Sequence, residues 1–381
     1  MKRLLSVILL LLLISPINTL AESEAVYKGL SNFTKVLDLI ERNYVDKVSS
    51  EDLTNNAIEG MLKTLDPYSA YLSPERYKEL EIGTSGEFGG VGMEVAVENG
   101  VLKVISPIEG SPADVAGIKP GDLITAIDGK STRGMVVYDA VKLLRGPKGS
   151  NVTITFTREG EWSRDITLTR DVIHIKSVKY KFLEEGIGYI KVSQFQENVS
   201  DELRSALSKL EINNGGTLRG LVLDLRNNPG GLLDEAIEVT DEFIDKGLIV
   251  SVRGRTSNQS KEYYATKGEP KHDFPLVVLV NKGSASASEV VAEALQDSKR
   301  ATIIGSKTFG KGSVQTIIQL DDGSGLKLTT AKFYAPSGRS INDVGVTPDI
   351  IIEDDENADM QIKRAVEILK FSDLNNTVPR G

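Results

Sequence analysis

Apolar positions in the first part of the chain recur at helical spacing. Phe33, Val36, Leu37, Ile40 and Tyr44 fall at i, i+3, i+4, i+7 and i+11, which predicts a helix over 30–46. Ala57, Ile58, Met61, Leu62 and Leu65 predict a second over 54–65, ended by Asp66-Pro67-Tyr68-Ser69. Such a pair cannot bury its faces alone, so it packs on the rest of the chain or on a second copy. The period then falls to two: Met93–Val97, a turn at Glu98-Asn99-Gly100, and Val101–Ile105 read as a hairpin. A strand at Leu123–Ile127, a helix at Val136–Leu144 and a strand at Asn151–Thr157 follow. From Gly186 strands alternate with helices: strand Gly186–Val192, helix Leu203–Leu210, strand Leu218–Leu225, helix Leu232–Phe243, strand Phe274–Val280. That alternation is α/β layering. From Ser313 the chain is strand-rich, and a helix at Ala358–Leu369 precedes a polar tail.

The extreme N-terminus breaks these patterns. Met1-Lys2-Arg3 is basic, Leu4–Ile14 is an almost unbroken apolar run, and Thr19-Leu20-Ala21 precedes Glu22. This is the layout of a secretory signal peptide over 1–21, and the run is short for a bilayer span. An uncleaved anchor is the competing reading. Removal of Lys2 and Arg3 takes the formal net charge from −9 to −11, a poor match to nucleic acid. There is no Cys, which excludes a lipid anchor, a thiol protease and a Cys-ligated zinc site. The two His residues, His174 in an apolar strand and His272 in a polar loop, form neither a zinc motif nor a catalytic pattern.

Two segments carry candidate chemistry. Asn281-Lys282-Gly283-Ser284-Ala285-Ser286-Ala287-Ser288-Glu289 follows the apolar strand and opens a helix whose face is Ala287, Val290, Val291, Ala294 and Leu295. A helix N-terminus offers unpaired N–H groups and a positive dipole end, the setting for a nucleophile beside an oxyanion hole. The same residues satisfy the S-x-x-E capping box, so Ser286 also has a purely structural role open to it. The second segment is Phe309-Gly310-Lys311-Gly312-Ser313-Val314-Gln315. A Lys can serve as general base for a Ser without any His, provided that burial lowers its pKa from about 10.4 by roughly three units, a cost of about 4 kcal/mol. Gly305–Lys311 also spells G-x-x-x-x-G-K, but Gly312 replaces the magnesium-holding Ser or Thr and a strand pattern follows, so nucleotide binding is rejected.

Two resemblances join these segments. SPADVAGIKPGDLITAIDG at 111–129 resembles a PDZ domain of the bacterial, protease-associated kind. The resemblance implies that Gly90-Val91-Gly92 holds a peptide's terminal carboxylate. A Gly-rich turn can form such an anion nest beside a strand edge. DPYSAYL at 66–72, DLRNNPGGL at 224–232, NKGSASASE at 281–289, FGKGSVQ at 309–315 and GVTPD at 345–349 resemble the carboxyl-terminal processing peptidases, or tail-specific proteases, over nearly the whole mature chain. The resemblance implies Ser286 as nucleophile, Lys311 as general base and Gln315 as orienter of the Lys amine. It implies an oxyanion hole from the Ala287 N–H and that of Gly230 or Gly231, the choice between them open. It also implies a crotonase/Clp-protease-like α/β core with an inserted β-rich PDZ domain and an N-terminal helical segment.

The expected domains are a signal peptide (1–21), a helical region (22–82), the PDZ domain (83–170), the protease core (171–353) and a C-terminal helix and tail (354–381). The expected protein is an exported serine endopeptidase, most naturally periplasmic, with extracellular or inner-membrane-associated settings also consistent. Its substrates would be proteins or peptides with exposed apolar C-termini. No cofactor and no metal is implied. A homo-oligomer through the N-terminal helices and an adaptor protein are compatible partners. Arg145, after the PDZ helix, is a candidate for coupling peptide binding to the core. Glu289 and Asp297 lie on the Ser286 helix, Asp297 reading as a surface carboxylate. The alternatives are a non-catalytic peptide-binding protein on this fold and a Ser-His-Asp protease.

Overall fold

The computed structural model describes residues 17–158, 162–267, 272–353 and 359–376. The basic head and apolar run expected to form the signal peptide lie outside the described residues. The chain forms two compact units, one of residues up to Ser73 with Thr316–Thr329, the other of Pro74–Gln315 with the chain from Thr330 onward.

In the first unit the helices run Ile17–Asn43 and Ser50–Lys63. The second starts where Ser49 accepts the Asp52 N–H at 3.3 Å, with Glu51 and Asp52 in its first turn facing the positive dipole end. It ends at Lys63, and just beyond it Asp66 Oδ1 accepts the Tyr68 and Ser69 N–H groups at 2.7 and 2.8 Å while Oδ2 accepts the Ser69 hydroxyl at 2.8 Å. That side-chain turn redirects the chain into the strand Ala70–Leu72, which pairs antiparallel with Gly325–Lys327. Along the first helix Tyr27, Leu30, Phe33, Val36 and Ile40 are exposed, as is Tyr44 just beyond it.

The second unit is built on a six-stranded sheet in the order Val178–Glu184, Ile187–Val192, Gly220–Asp224, Leu276–Val280, Ala301–Gly305, Ile350–Ile351. Only the first pair is antiparallel. Gly220–Asp224 and Leu276–Val280 are buried at every residue, which explains their continuous apolar spelling. Alternate side chains feed two cores. Leu221, Leu223, Val278 and Val280 meet the helices Val199–Asn214, Leu233–Asp241 and Ala287–Asp297, while Val222, Val277 and Leu279 meet Ala365, Val366 and Leu369 of the last helix.

Within the same unit the antiparallel strands Met93–Glu98, Val101–Pro107, Leu123–Ile127, Asn151–Thr157 and Arg164–Thr169 enclose a separate core with the helix Val137–Leu144. The predicted hairpin turns at Asn99 (φ 52°) and Gly100 (φ 76°), the left-handed pair of a type I′ turn. Several elements were not read from the sequence, among them the strands Arg164–Thr169, Val178–Glu184 and Leu248–Gly254. Pro74–Ser85 is a helix, and Glu87–Gly90, read only as a Gly-rich stretch, is a strand pairing antiparallel with Asp171–His174. That ribbon flanks the β-rich insertion at both ends.

Candidate active site

Ser286 stands between the buried strand Leu276–Val280 and the helix Ala287–Asp297. Its backbone has φ 56° and ψ −115°, a region that a side chain other than glycine enters only under constraint. Ser286 is the N-cap and its capping box with Glu289 forms, but caps ordinarily sit in extended backbone, so capping alone does not require this strain. The serine is 9% exposed. Its turn is laced to the loop after the neighbouring strand. The Ser284 hydroxyl donates to the Leu225 carbonyl at 2.7 Å, the Ser288 hydroxyl to the Asn228 carbonyl at 2.9 Å, and the Ala285 N–H to the same carbonyl at 3.0 Å. Asn281 Oδ1 accepts the Asn227 N–H at 2.9 Å. Both loops leave the C-terminal ends of adjacent parallel strands, where α/β sheets place their sites.

Gly230 and Gly231 pass close against this turn. A Cβ on Gly230 would lie 2.9 Å from both the Ala287 nitrogen and the Ser286 Cβ, and one on Gly231 would lie 2.1 Å from the Phe195 carbonyl oxygen. The Gly230 N–H donates to Asn228 Oδ1 at 2.9 Å. The Gly230 carbonyl accepts the Phe195 N–H at 2.9 Å, so the Gly231 N–H, antiparallel to it in the same peptide plane, points the other way. The Ala287 N–H opens the helix and has no intrahelical acceptor.

Lys311 is half-buried between two glycines that touch backbone. A Cβ on Gly312 would lie 2.1 Å from the Asn342 nitrogen, and one on Gly310 3.2 Å from the Gly345 nitrogen. The Gly312 carbonyl accepts the Phe333 N–H at 2.7 Å. Ser313 and Gln315 follow on one side of the strand Ser313–Gln319, and Gln315 Nε2 donates to the Ser313 hydroxyl at 2.8 Å. The strand after Gly312 agrees with the rejection of a nucleotide loop.

One carboxylate joins the two segments. Glu289 is fully buried, and its Oε2 accepts the Ser286 N–H at 2.8 Å and the Lys311 N–H at 2.9 Å. Its Oε1 accepts the Thr308 hydroxyl at 2.5 Å and the Gly310 N–H at 2.7 Å. Burial raises its pKa and the four donors oppose that. The capping-box spacing was legible in the sequence, but the convergence of residues 308–311 on the same carboxylate was not. Two more carboxylates follow one and two turns along the same face of this helix. Glu293 and Asp297 meet the Arg339 guanidinium at 2.5 and 3.0 Å, and Asp297 accepts the Ser337 N–H at 2.9 Å. Asp297, read as a surface carboxylate, is instead a tie to the Ser337–Arg339 turn. Burial pushes the Glu293 carboxyl up to about 7, with Arg339 opposing and Asp297 and Glu289 reinforcing.

Residues 186–352 match Peptidase family S41, 103–158 match a PDZ domain, and 16–76 match the activating protease CtpB N-terminal domain. The chain is 47% identical over 337 residues to a carboxy-terminal-processing protease of Bartonella bacilliformis, covering 88% of this chain and 77% of that one. The chain belongs to the carboxy-terminal-processing proteases of family S41. It is a serine-type peptidase with a PDZ domain inserted in an α/β core. The protease is also 40% identical over 354 residues to a CtpA-like serine protease of Staphylococcus aureus, covering 92% and 70% of the two chains. Among solved structures it is similar to a photosystem II D1 C-terminal processing protease, at 35% identity, a TM-score of 0.48, and coverage of 84% and 92%.

The PDZ groove of the protease holds about 220 Å³ and is lined by Phe88, Gly90, Val91, Gly92, Met93, Val95, Val141, Leu144 and Arg145, with Glu94 at its polar edge. The three residues expected to bind a carboxylate therefore share one groove. Arg145 is also there, its guanidinium 4.8 Å from the Phe88 ring centroid and paired with Glu79 at 2.7 Å. The two histidines lie elsewhere. His174 faces Glu87 across the ribbon at 3.0 Å, and His272 packs between Phe243 and Phe274 with Glu211 at 3.3 Å.

Proposed function

We propose that the protease hydrolyses peptide bonds with a Ser286–Lys311 dyad on substrates engaged by their C-termini. The observation that carries the dyad is the sharing of one Glu289 oxygen by the Ser286 and Lys311 amides. Ser286 Oγ attacks the scissile carbonyl while Lys311 Nζ takes its proton. The tetrahedral oxyanion is met by the Ala287 N–H and, of the two candidate glycines, the Gly231 N–H, because that of Gly230 is committed to Asn228. Collapse passes the proton from Lys311 to the leaving amine and leaves an acyl-Ser286. Water, deprotonated by Lys311, then releases the product. Gln315 is assigned to orient the Lys amine. None of these steps calls for a cofactor.

Gly90, Val91 and Gly92 are assigned to the substrate carboxylate, and the apolar lining of their groove suits an apolar final residue. Arg145, placed between that groove and Glu79, is assigned to coupling occupancy to the core. Export is supported by the n-, h- and cleavage-region pattern at residues 1–21, and a periplasmic setting is the reading adopted. The domain limits expected from the sequence are retained, and self-association through the N-terminal helices is assigned to their exposed apolar face.

The test is cleavage of an unfolded protein with an apolar C-terminus by the mature chain, Ser286→Ala and Lys311→Ala, between about pH 6 and 10. The parent is expected to cleave with a rate that rises through a basic pKa, and each variant to lose roughly 10³-fold or more. An active Lys311→Ala enzyme would sink the dyad.

A further inference from the structure

The carboxylate loop of the PDZ groove is held from behind, and one side chain contributes to the hold. The Gly92 carbonyl accepts the Ile108 N–H at 2.9 Å and the Ser111 hydroxyl at 2.7 Å. The Val91 carbonyl accepts the Ala113 N–H at 2.8 Å. All three donors come from the Ile108–Ala113 segment, on the side of the loop away from the groove. In a trans peptide plane the carbonyl of one residue and the N–H of the next point in opposite directions. Fixing the Val91 and Gly92 carbonyls toward the domain body therefore aims the Gly92 and Met93 N–H groups the other way, toward the groove that residues Gly90–Met93 line.

Ser111 is suited to this task. It is 5% exposed, so its hydroxyl has few other partners to choose from. Its Oγ also accepts the Asp114 N–H at 3.3 Å, capping the short helix Pro112–Val115 and fixing the direction in which its own proton is donated. The contact is close-fitting: a Cβ on Gly92 would lie 2.2 Å from the Ser111 Cβ and 2.9 Å from Ile173 Cδ1, and Gly92 has φ +73°. The loop can sit there only as glycine, and it sits against Ser111.

We infer that Ser111 is a positioning residue for substrate recognition, setting the N–H direction of the carboxylate loop by hydrogen bonding the Gly92 carbonyl. This rests on the reading that the groove takes a substrate's C-terminal carboxylate. The consequence is specific to the charge at the peptide end. Loss of the hydroxyl lets the Gly92 carbonyl relax, and only a ligand that needs the N–H groups aligned will register it.

The test is binding of a short fluorescent peptide ending in valine, as free acid and as amide, to the full mature chain carrying Ser286→Ala so that nothing is cleaved. It is repeated with Ser111→Ala added, and with Asp114→Ala added as a control. Asp114 accepts the Gly110 N–H at 2.9 Å, so its loss disturbs the same turn without touching Gly92. The expected result is a marked preference for the acid that falls by about tenfold with Ser111→Ala and is kept with Asp114→Ala. If Ser111→Ala weakens acid and amide equally, or leaves the preference intact, the positioning role is overturned while carboxylate recognition stands. If the starting chain binds acid and amide alike, carboxylate recognition itself fails and the role of Ser111 with it.

Discussion

At the residue scale, Glu289 links the parts of the catalytic site. Burial raises the pKa of this carboxyl and four donors oppose that rise, three of them backbone amides of the serine and lysine segments. Glu289→Gln replaces one accepting oxygen by an NH2 group that faces N–H donors. If Ser286 and Lys311 are the reacting pair, the expected outcome is a fall in kcat of roughly 10–100-fold with KM changed by less than about twofold, because Glu289 holds those two segments rather than the peptide groove. Steady-state kinetics on one peptide substrate separates the two, and unchanged affinity of the groove for a product peptide shows that the fold is intact. Ser286 itself shows how far a sequence can be read. The S-x-x-E spacing is visible in one line of text and the capping box forms, but the backbone held at φ 56° is visible only in the fold.

At the scale of the element, the helix Ala287–Asp297 carries three carboxylates along its length, and they do different work. Glu289 points to the lysine segment. Glu293 and Asp297 hold Arg339 in the turn that precedes Asn342, whose backbone abuts Gly312. Glu293 titrates near 7 in the folded chain, above its ordinary value of about 4.5. A raised pKa means that the folded state binds the proton more tightly than the unfolded chain does. Its contribution to stability is thus complete below about pH 4.5 and is lost as pH rises through about 7. Glu293→Gln removes that loss. Thermal melts of parent and variant are expected to diverge in the variant's favour between about pH 5 and 8, by on the order of 2 kcal/mol at the upper end. A constant difference across that range would show that Glu293 does not titrate there. The strands and helices of this layer were largely legible, because a buried parallel strand is an unbroken apolar run and a covering helix has an apolar face. The ribbon of Glu87–Gly90 with Asp171–His174 was only half legible: the apolar run around His174 reads as a strand, but the Gly-rich Glu87–Gly90 becomes one only through its partner.

At the scale of the whole molecule, the N-terminal helix leaves Phe33, Val36 and Ile40 exposed on one face, which Tyr44 continues just beyond its end. If it joins two copies, Phe33→Glu with Ile40→Glu should shift the mature chain to half its apparent mass in light scattering while leaving the Ser286 site chemically competent. An unchanged mass would place the interface elsewhere or remove it. The sequence by itself determined most of the elements of the core, the layered α/β plan, the PDZ insertion and the Ser and Lys segments to which the dyad is assigned. Each of these is written in local periodicity or in a contiguous motif, and local spacing survives in one dimension. Only the tertiary structure decided the rest: the meeting of the Ser286 and Lys311 segments on Glu289, the commitment of the Gly230 amide to Asn228 and the bracing of the carboxylate loop by Ser111. These are contacts between segments that the chain's topology brings together. Their residues are ordinary ones whose chemistry changes only when burial removes water and leaves a single partner within reach.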